Sequence, residues 1–92
     1  MKLNVLVSPG LMAVLWELGW GDRFLKDLEG TFATKKSEQE GSFESLVEAL
    51  VTGGLVYKLK GERGSSYLSL TYTGEAVLDH LRQIEMIMEN NE

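Results

Sequence analysis

Apolar residues recur along this chain at two spacings, one typical of helices and one of strands. Helical spacing is clearest in Phe43–Thr52, where five apolar positions follow the i, i+3, i+4, i+7, i+8 rule and predict one buried face: Phe43, Leu46, Val47, Leu50 and Val51. Ser42 suits the N-cap of this helix, and Gly53-Gly54 supplies residues that end it. Two shorter helical segments, Pro9–Leu18 and Arg23 to about Leu28, come before it. The pattern therefore predicts three successive helices.

The borders of the earlier elements follow from proline, glycine and polar residues. Ser8 as N-cap and Pro9 in the first turn begin the first helix. Gly30 is predicted to end the second helix. Residues 31–41 are largely polar, so a loop and a helical turn are both open there. Met1–Val7 roughly alternates, which predicts an extended arm or a short strand.

After Gly54 the apolar residues move to alternate positions. Leu55–Lys60 and Tyr67–Tyr72 are predicted to be two strands, joined by the polar turn Gly61–Gly64. Two glycines in this four-residue turn allow positive φ, so the segment is expected to form a hairpin.

The last predicted helix runs from about Gly74 to Glu89, with Thr73 as its N-cap. Val77, Leu81, Ile84 and Met88 are spaced four, three and four positions apart, which is the spacing of an a/d seam in a coiled coil. Leu78 and Ile87 widen that seam. We expect the helix to pair with a second copy of the chain through Val77, Leu78, Leu81, Ile84, Ile87 and Met88.

Two short motifs, Gly54-Leu55-Val56 and Leu70-Thr71-Tyr72-Thr73-Gly74, resemble those of MarR/PadR/HxlR-type winged-helix regulators. In that broad family the recognition helix ends in a Gly-Leu-Val-like step, and the return strand of the wing reads Leu-Thr-x-x-Gly. The resemblance implies an α+β, mostly helical winged helix-turn-helix fold with a three-helix core, a two-stranded wing and a C-terminal dimerisation helix. It implies one domain over residues 1–92, with the arm or strand in 1–8, the helices and wing in 9–72, and the last helix in 73–90. It also implies a small DNA-binding transcriptional regulator that acts as a homodimer.

Composition and charge refine this interpretation. The 92 residues are 43% hydrophobic and 25% charged, as in an ordinary single soluble domain, and we expect no membrane partner. The absence of cysteine excludes disulfides and thiolate metal sites, and a cytoplasmic location is predicted. The net charge of −5 is the wrong sign for a phosphate-binding protein. However, residues 35–63 sum to zero and residues 75–92 to −4, so much of the excess acid lies on the last helix.

The candidate DNA contacts are cations and hydroxyl or amide groups near the third helix and the wing. They are Lys35, Lys36, Gln39, Ser42, Ser45, Lys58, Lys60, Arg63, Ser65 and Ser66. Lysine and arginine would contact phosphates, with the wing against the minor groove or the backbone. The alternative is that these charges solvate a hairpin tip and protect a sheet edge from aggregation.

Carboxylates around the start of the third helix favour a second function. Glu38, Glu40, Glu44 and Glu48 would mostly repel phosphates. The alternative function is therefore a winged-helix module for protein–protein contact, with the acidic third helix as its binding surface. Clustered cations with the glutamates facing elsewhere would favour DNA. Glutamates at the centre of that face would favour protein.

Catalysis finds little support in the sequence. His80 is the single histidine and has only Asp79 beside it, so no nucleophilic triad is predicted. No metal or cofactor site is predicted, and we expect no enzyme activity. Trp16 and Trp20, four positions apart, are interpreted as structural residues of the core rather than as an aromatic pair for ligand binding or dimer contact.

Overall fold

The computed structural model describes residues 2–90, which form an α+β fold that is mostly helical. A tight 3-10 turn, Glu62–Gly64, joins the last two of its three strands. In chain order the elements are α1 (Leu3–Leu6), α2 (Pro9–Leu18), β1 (Arg23–Phe24), α3 (Leu25–Lys35), α4 (Phe43–Thr52), β2 (Val56–Lys60), β3 (Ser66–Leu70) and α5 (Tyr72–Asn90).

The three strands form an antiparallel sheet in the order β1-β3-β2. In the hairpin, Val56 pairs with Leu70 and Lys60 with Ser66. Arg63, at φ 58°, and the glycine after it adopt left-handed conformations, which turn the chain sharply at the tip. The sequence-based prediction of a hairpin is confirmed.

One face of the sheet covers the core and the other faces outward. Leu68 is fully buried at the centre of β3, and its partners across the sheet, Lys58 and Arg23, lie on the same face. The helices supply the rest of the core. Its buried members are Leu11, Val14, Leu15, Leu18, Leu28, Phe32, Leu46, Val47, Leu50, Leu55, Val56, Leu68, Leu78 and Leu81.

Helix α4 has the predicted bounds, and its cap is also confirmed. The Ser42 hydroxyl accepts a hydrogen bond from the backbone N–H of Ser45 at 3.1 Å. Leu46, Val47 and Leu50 are buried and Phe43 packs partly against the core, as the spacing predicts. Val51, the fifth residue of the predicted stripe, is instead 41% exposed, because the helix ends one residue later and no element of residues 2–90 covers that position.

The second predicted helix differs from the structure at both ends. Arg23 and Phe24 form a strand, because Phe24 pairs with Tyr67 of β3. The helix that follows then continues through Gly30 to Lys35. Buried Leu28 and Phe32 hold it to the core on both sides of this exposed glycine, which outweighs a helix-propensity cost of about 1 kcal/mol. Residues 31–35 are therefore helical, and the loop is confined to 36–42.

The cap of the last helix is Thr71 rather than the predicted Thr73. The Thr71 hydroxyl accepts a hydrogen bond from the Gly74 N–H at 3.0 Å and donates one to the Gly54 carbonyl at 2.5 Å. Thr71 is buried, whereas Thr73 is exposed. Tyr72 therefore belongs to the helix and not to the strand, and its side chain is 87% exposed.

The N-terminal arm or strand expected over residues 1–8 is a short helix over the described part of that segment. Backbone hydrogen bonds from Leu6 to Lys2 and from Val7 to Leu3 form its turn. The Ser8 hydroxyl donates to the Asn4 carbonyl at 3.2 Å. These local bonds satisfy the backbone without a partner strand, and they let Leu6 pack against the core.

Candidate nucleic-acid interface

Helix α4 presents a mixed polar face to solvent. Its buried stripe leaves Glu44, Ser45 and Glu48 exposed, together with Val51, which is 41% exposed. The Ser42 hydroxyl also contacts that of Ser45 at 3.0 Å, so these two predicted contact residues lie side by side at the helix start. The first turn of α4 thus combines hydroxyl groups with a carboxylate.

The hairpin displays the predicted wing cations in solvent. Lys58 and Lys60 of β2 are exposed, and Arg63 is exposed at the tip. The Ser65 hydroxyl is engaged locally, since it donates to the Glu62 carbonyl at 2.7 Å and fixes the turn. Ser66 pairs with Lys60 in the strand ladder and is half-buried.

Lys58 joins the hairpin to α4. It lines one surface depression with residues of the α4 outer face and of the neighbouring α3. The lining residues are Leu25, Phe43, Glu44, Val47, Glu48, Val51, Thr52 and Lys58. The hairpin and α4 therefore form one continuous surface on which a lysine lies among carboxylates.

The loop that leads into α4 holds the remaining predicted contacts. Lys35 and Lys36 are exposed at the end of α3, and the Lys36 ammonium lies 5.9 Å from the centre of the Phe32 ring. Gln39 is exposed and lines a depression with Ser42 and Ser45. The structure thus places Gln39 beside the start of α4.

Glu40 does not lie on the outer face of α4. Its carboxylate accepts hydrogen bonds from the backbone N–H groups of Gly10 and Ser37, both at 2.8 Å, and of Leu11 at 3.2 Å. Partial burial raises the pKa of this carboxyl, but the hydrogen bonds from Ser37, Gly10 and Leu11 outweigh it, so the pKa lies below its ordinary value. Glu40 therefore caps α2 and anchors the loop before α4, which leaves Glu44 and Glu48 as the acidic residues of the α4 face.

Sequence reasoning missed a group of exposed apolar residues on the outer face of the sheet. Phe24 and Tyr67 are paired across β1 and β3, and Tyr67 is paired in turn with Leu59 of β2. Tyr57 lies two positions from Leu59 and so on the same face. The alternation of Tyr57 and Leu59 with the lysines was a sequence signal for this outer face. Phe24 fitted a helical pattern, so the third strand was not predicted.

The predicted dimer residues of α5 divide into two groups. Leu78 and Leu81 are buried in the chain's own core, with Val77 packed partly against it, because the first half of α5 packs against the body of the fold. Ile84, Ile87 and Met88 are 54%, 59% and 66% exposed, respectively. The dimer prediction therefore depends on the second half of the helix.

The tryptophans and the histidine have separate surroundings. Trp16 packs against the core, and the Arg82 guanidinium lies 5.7 Å from its ring centre. Trp20 is 78% exposed, so it is not the core residue that was predicted. The His80 Nδ1 atom lies 2.8 Å from the Ala76 carbonyl within the same helix.

Residues 2–90 contain no group of three or more histidine and carboxylate side chains placed to hold a metal ion. In the same part of the chain, no helix combines the length and the apolar character that crossing a bilayer requires. Comparison with family models, with curated proteins and with solved structures finds no match to this chain.

Proposed function

We propose that this chain is a winged helix-turn-helix domain that binds double-stranded DNA as a homodimer and regulates transcription. The order of elements supports the fold, since helices α2, α3 and α4 precede the β2–β3 hairpin. In this proposal α4 is the recognition helix and the hairpin is the wing. Strand β1 supports the wing from the far side of β3.

The observation that carries the proposal is the continuity of the α4 face with the cationic hairpin. Lys58 lines a depression with α4 residues, and Lys60 and Arg63 extend the positive charge toward the tip. A duplex with its major groove on α4 would bring phosphates to these cations. Ser42 and Ser45, exposed in the first turn, supply hydrogen-bonding groups where a recognition helix contacts base edges.

Fluorescence anisotropy with a labelled duplex of about 30 base pairs tests this function, because that length holds two half-sites one helical turn apart. Affinity should fall steeply between roughly 50 and 200 mM salt, since phosphate neutralisation releases counterions. Replacing Arg63 by Gln should reduce the slope of log K against log salt by about 1.

Arg82→Gln is the matched control for that experiment. It removes the same charge from the surface where α5 meets Trp16, so the salt slope should not change. An equal effect of Arg63→Gln and Arg82→Gln would contradict a wing contact. Undetectable duplex binding at the lower salt concentration would contradict the function itself.

One observation favours protein–protein contact as the second candidate. Glu44 and Glu48 are exposed in the same depression as Lys58, where a phosphate backbone would meet two negative charges. The double change Glu44→Gln and Glu48→Gln separates the candidates. If DNA lies on this face, duplex affinity rises because the repulsion is removed. If a basic protein lies there, duplex affinity does not change and capture of that protein is weakened.

A further inference from the structure

We propose that the free edge of β2 binds an extended peptide, which joins the sheet as a fourth strand and carries apolar and acidic residues at alternate positions. Within residues 2–90, the strand order β1-β3-β2 leaves β2 paired on one side only. The unpaired backbone groups of such an edge are a template for another strand. The site goes beyond the duplex-binding surface of α4, although the two share Lys58.

The register of the hairpin decides which backbone groups bond to β3. The Leu55 carbonyl accepts a hydrogen bond from the Thr71 N–H at 3.0 Å, and the Gly61 N–H donates one to the Ser65 carbonyl at 2.8 Å. Both pairs continue the β2–β3 register. Bonded pairs in an antiparallel ladder recur at every second residue, so the odd-numbered residues of β2 bond to β3.

The even-numbered residues of β2 therefore direct their N–H and C=O groups away from β3. These residues are Val56, Lys58 and Lys60, and in the described part of the chain no other backbone group bonds to theirs. Donors and acceptors that alternate along a straight edge match the backbone of an extended chain. The edge itself thus identifies an added strand as the occupant.

The outer face of β2 sets the apolar positions of the peptide. Tyr57 is 58% exposed and Leu59 is 40% exposed on this face. Side chains of an added strand alternate between the two faces of the sheet, and every second one would lie beside Tyr57 and Leu59. Apolar residues at these positions would remove apolar surface from water on both sides of the contact.

The opposite face of β2 sets the acidic positions. Lys58 and Lys60 alternate with the apolar residues and so lie on that face, and neither belongs to an ion pair within residues 2–90. Opposite charges on neighbouring strands attract, so acidic peptide residues fit here. Glu44 and Glu48 line the depression that contains Lys58 but not Lys60, so Lys60 should contribute more to this preference.

The same lysines exclude a second copy of the chain as the occupant. Pairing of two β2 edges would put the lysines of both strands on one face of the joined sheet, because the even-numbered residues of both would bond to each other. In the register centred on Lys58, the two Lys58 side chains would be directly opposite. Like charges in this position are destabilising, so a foreign acidic strand is favoured over self-pairing.

The surface beside the edge is open to a further strand. A depression of about 550 Å³ runs along β2 and is lined by Val56, Tyr57, Lys58 and Leu59 together with Val51 of α4, among others. Val51 is 41% exposed. An added strand would cover this valine as well as the edge.

The test measures fluorescence anisotropy of a labelled peptide of about seven residues in which valine alternates with glutamate. Methylating the backbone nitrogens of two valines, or of two glutamates, keeps every side chain. Only one of these two sets of N–H groups can face β2, so one methylated peptide should bind roughly 5- to 150-fold more weakly through two lost hydrogen bonds. The other should bind as the unmethylated peptide does. A peptide with lysine in place of glutamate should bind roughly 2- to 30-fold more weakly, since two cross-strand charge pairs are lost.

Variants of the full chain test the same contacts from the other side. Lys60→Gln should weaken binding of the glutamate peptide roughly 1.5- to 5-fold, whereas Lys35→Gln, outside the sheet at the end of α3, should not change it. Lys58→Pro removes an N–H that faces the free edge, where proline is tolerated. It should bind roughly 2- to 13-fold more weakly than its matched control Lys58→Gln. Circular dichroism establishes that each variant is folded, and the methylated peptides test the same bonds with the unchanged chain.

Equal affinity of the two methylated peptides would overturn the proposal. Undetectable binding of the unmethylated peptide would also overturn it and would leave the lysines only as protection of the edge. Equal losses for Lys60→Gln and Lys35→Gln would overturn the acidic preference. Duplex anisotropy is measured in parallel. Retained duplex binding without peptide binding overturns the edge proposal alone, and lost duplex binding with retained peptide binding contradicts the α4 proposal alone.

Discussion

The side chain of Glu40 accepts a hydrogen bond from the backbone N–H of Gly10, thirty positions earlier in the chain, at 2.8 Å. The first N–H groups of a helix have no partner within it, so a carboxylate from elsewhere can supply the missing acceptor. Here the acceptor lies in the loop just before α4. One carboxylate thus stabilises the start of α2 and fixes the approach to the proposed recognition helix.

Replacing Glu40 by Ala should lower the free energy of unfolding by about 0.5–2 kcal/mol, the usual cost of losing a helix cap. The N–H groups of Gly10 and Leu11 would lose their acceptor in a partly buried position. Urea denaturation measures the change. Glu38→Ala is the control, because Glu38 is exposed in the same loop and should alter stability by less than about 0.5 kcal/mol. Similar losses for both variants would contradict the capping role.

The pH dependence of stability should also report on Glu40. Its folded-state pKa is lowered, so its contribution is fully present above the unfolded glutamate pKa of about 4.3 and disappears as pH falls through the lower folded value. The stability difference between the unchanged chain and Glu40→Gln should therefore be constant near neutral pH and shrink in acid. Urea titrations at a series of pH values measure it, and a difference that grows below pH 4 would contradict this sign.

The elements that the sequence predicted well are those whose burial follows from local spacing. In α4 the centre of the predicted stripe, Leu46, Val47 and Leu50, is buried as its period requires, and only Val51 at the end of the helix is exposed. The hairpin could be predicted equally well from the sequence, because its two strands follow each other in the chain and a short glycine turn joins them. The exposure of Lys58, Lys60 and Ser45 on these two elements could be predicted for the same reason.

Contacts between distant positions could not be predicted in this way. Nothing in the local sequence separates Glu40, which caps α2, from Glu38, which is exposed. Phe24 fits a helix by spacing, but pairing with Tyr67 takes it into the sheet. Thr71 and Thr73 are equally good caps by residue type, and only the Gly54 carbonyl beside Thr71 decides between them. Tertiary partners therefore decided each of these cases.

Two helical glycines should respond to alanine with opposite signs. A Cβ at Gly74 would collide with the Leu55 carbonyl, so Gly74→Ala should lower the free energy of unfolding by roughly 1–3 kcal/mol. A Cβ at Gly30 would meet no atom within 4 Å, so Gly30→Ala should raise it by about 0.5–1 kcal/mol through helix propensity. Thermal and urea unfolding of both variants measure the two changes. If both variants changed the free energy of unfolding in the same direction, the close contact with the Leu55 carbonyl would not be the reason that position 74 is glycine.

The second half of α5 should mediate self-association. Its apolar seam continues past the buried Leu81 to Ile84 and Met88, which are 54% and 66% exposed. Water-exposed apolar residues in an a/d pattern are buried when a second helix packs on them, so we expect a dimer of twice 10.3 kDa at micromolar concentration. Ile84→Ser with Met88→Ser should convert it to a monomer in sedimentation velocity. Met86→Ser is the control, since Met86 is 61% exposed but lies two residues, or about 200° of helix rotation, from each of them. Dissociation by Met86→Ser alone, or an unchanged chain that sediments at 10.3 kDa, would contradict pairing through this seam.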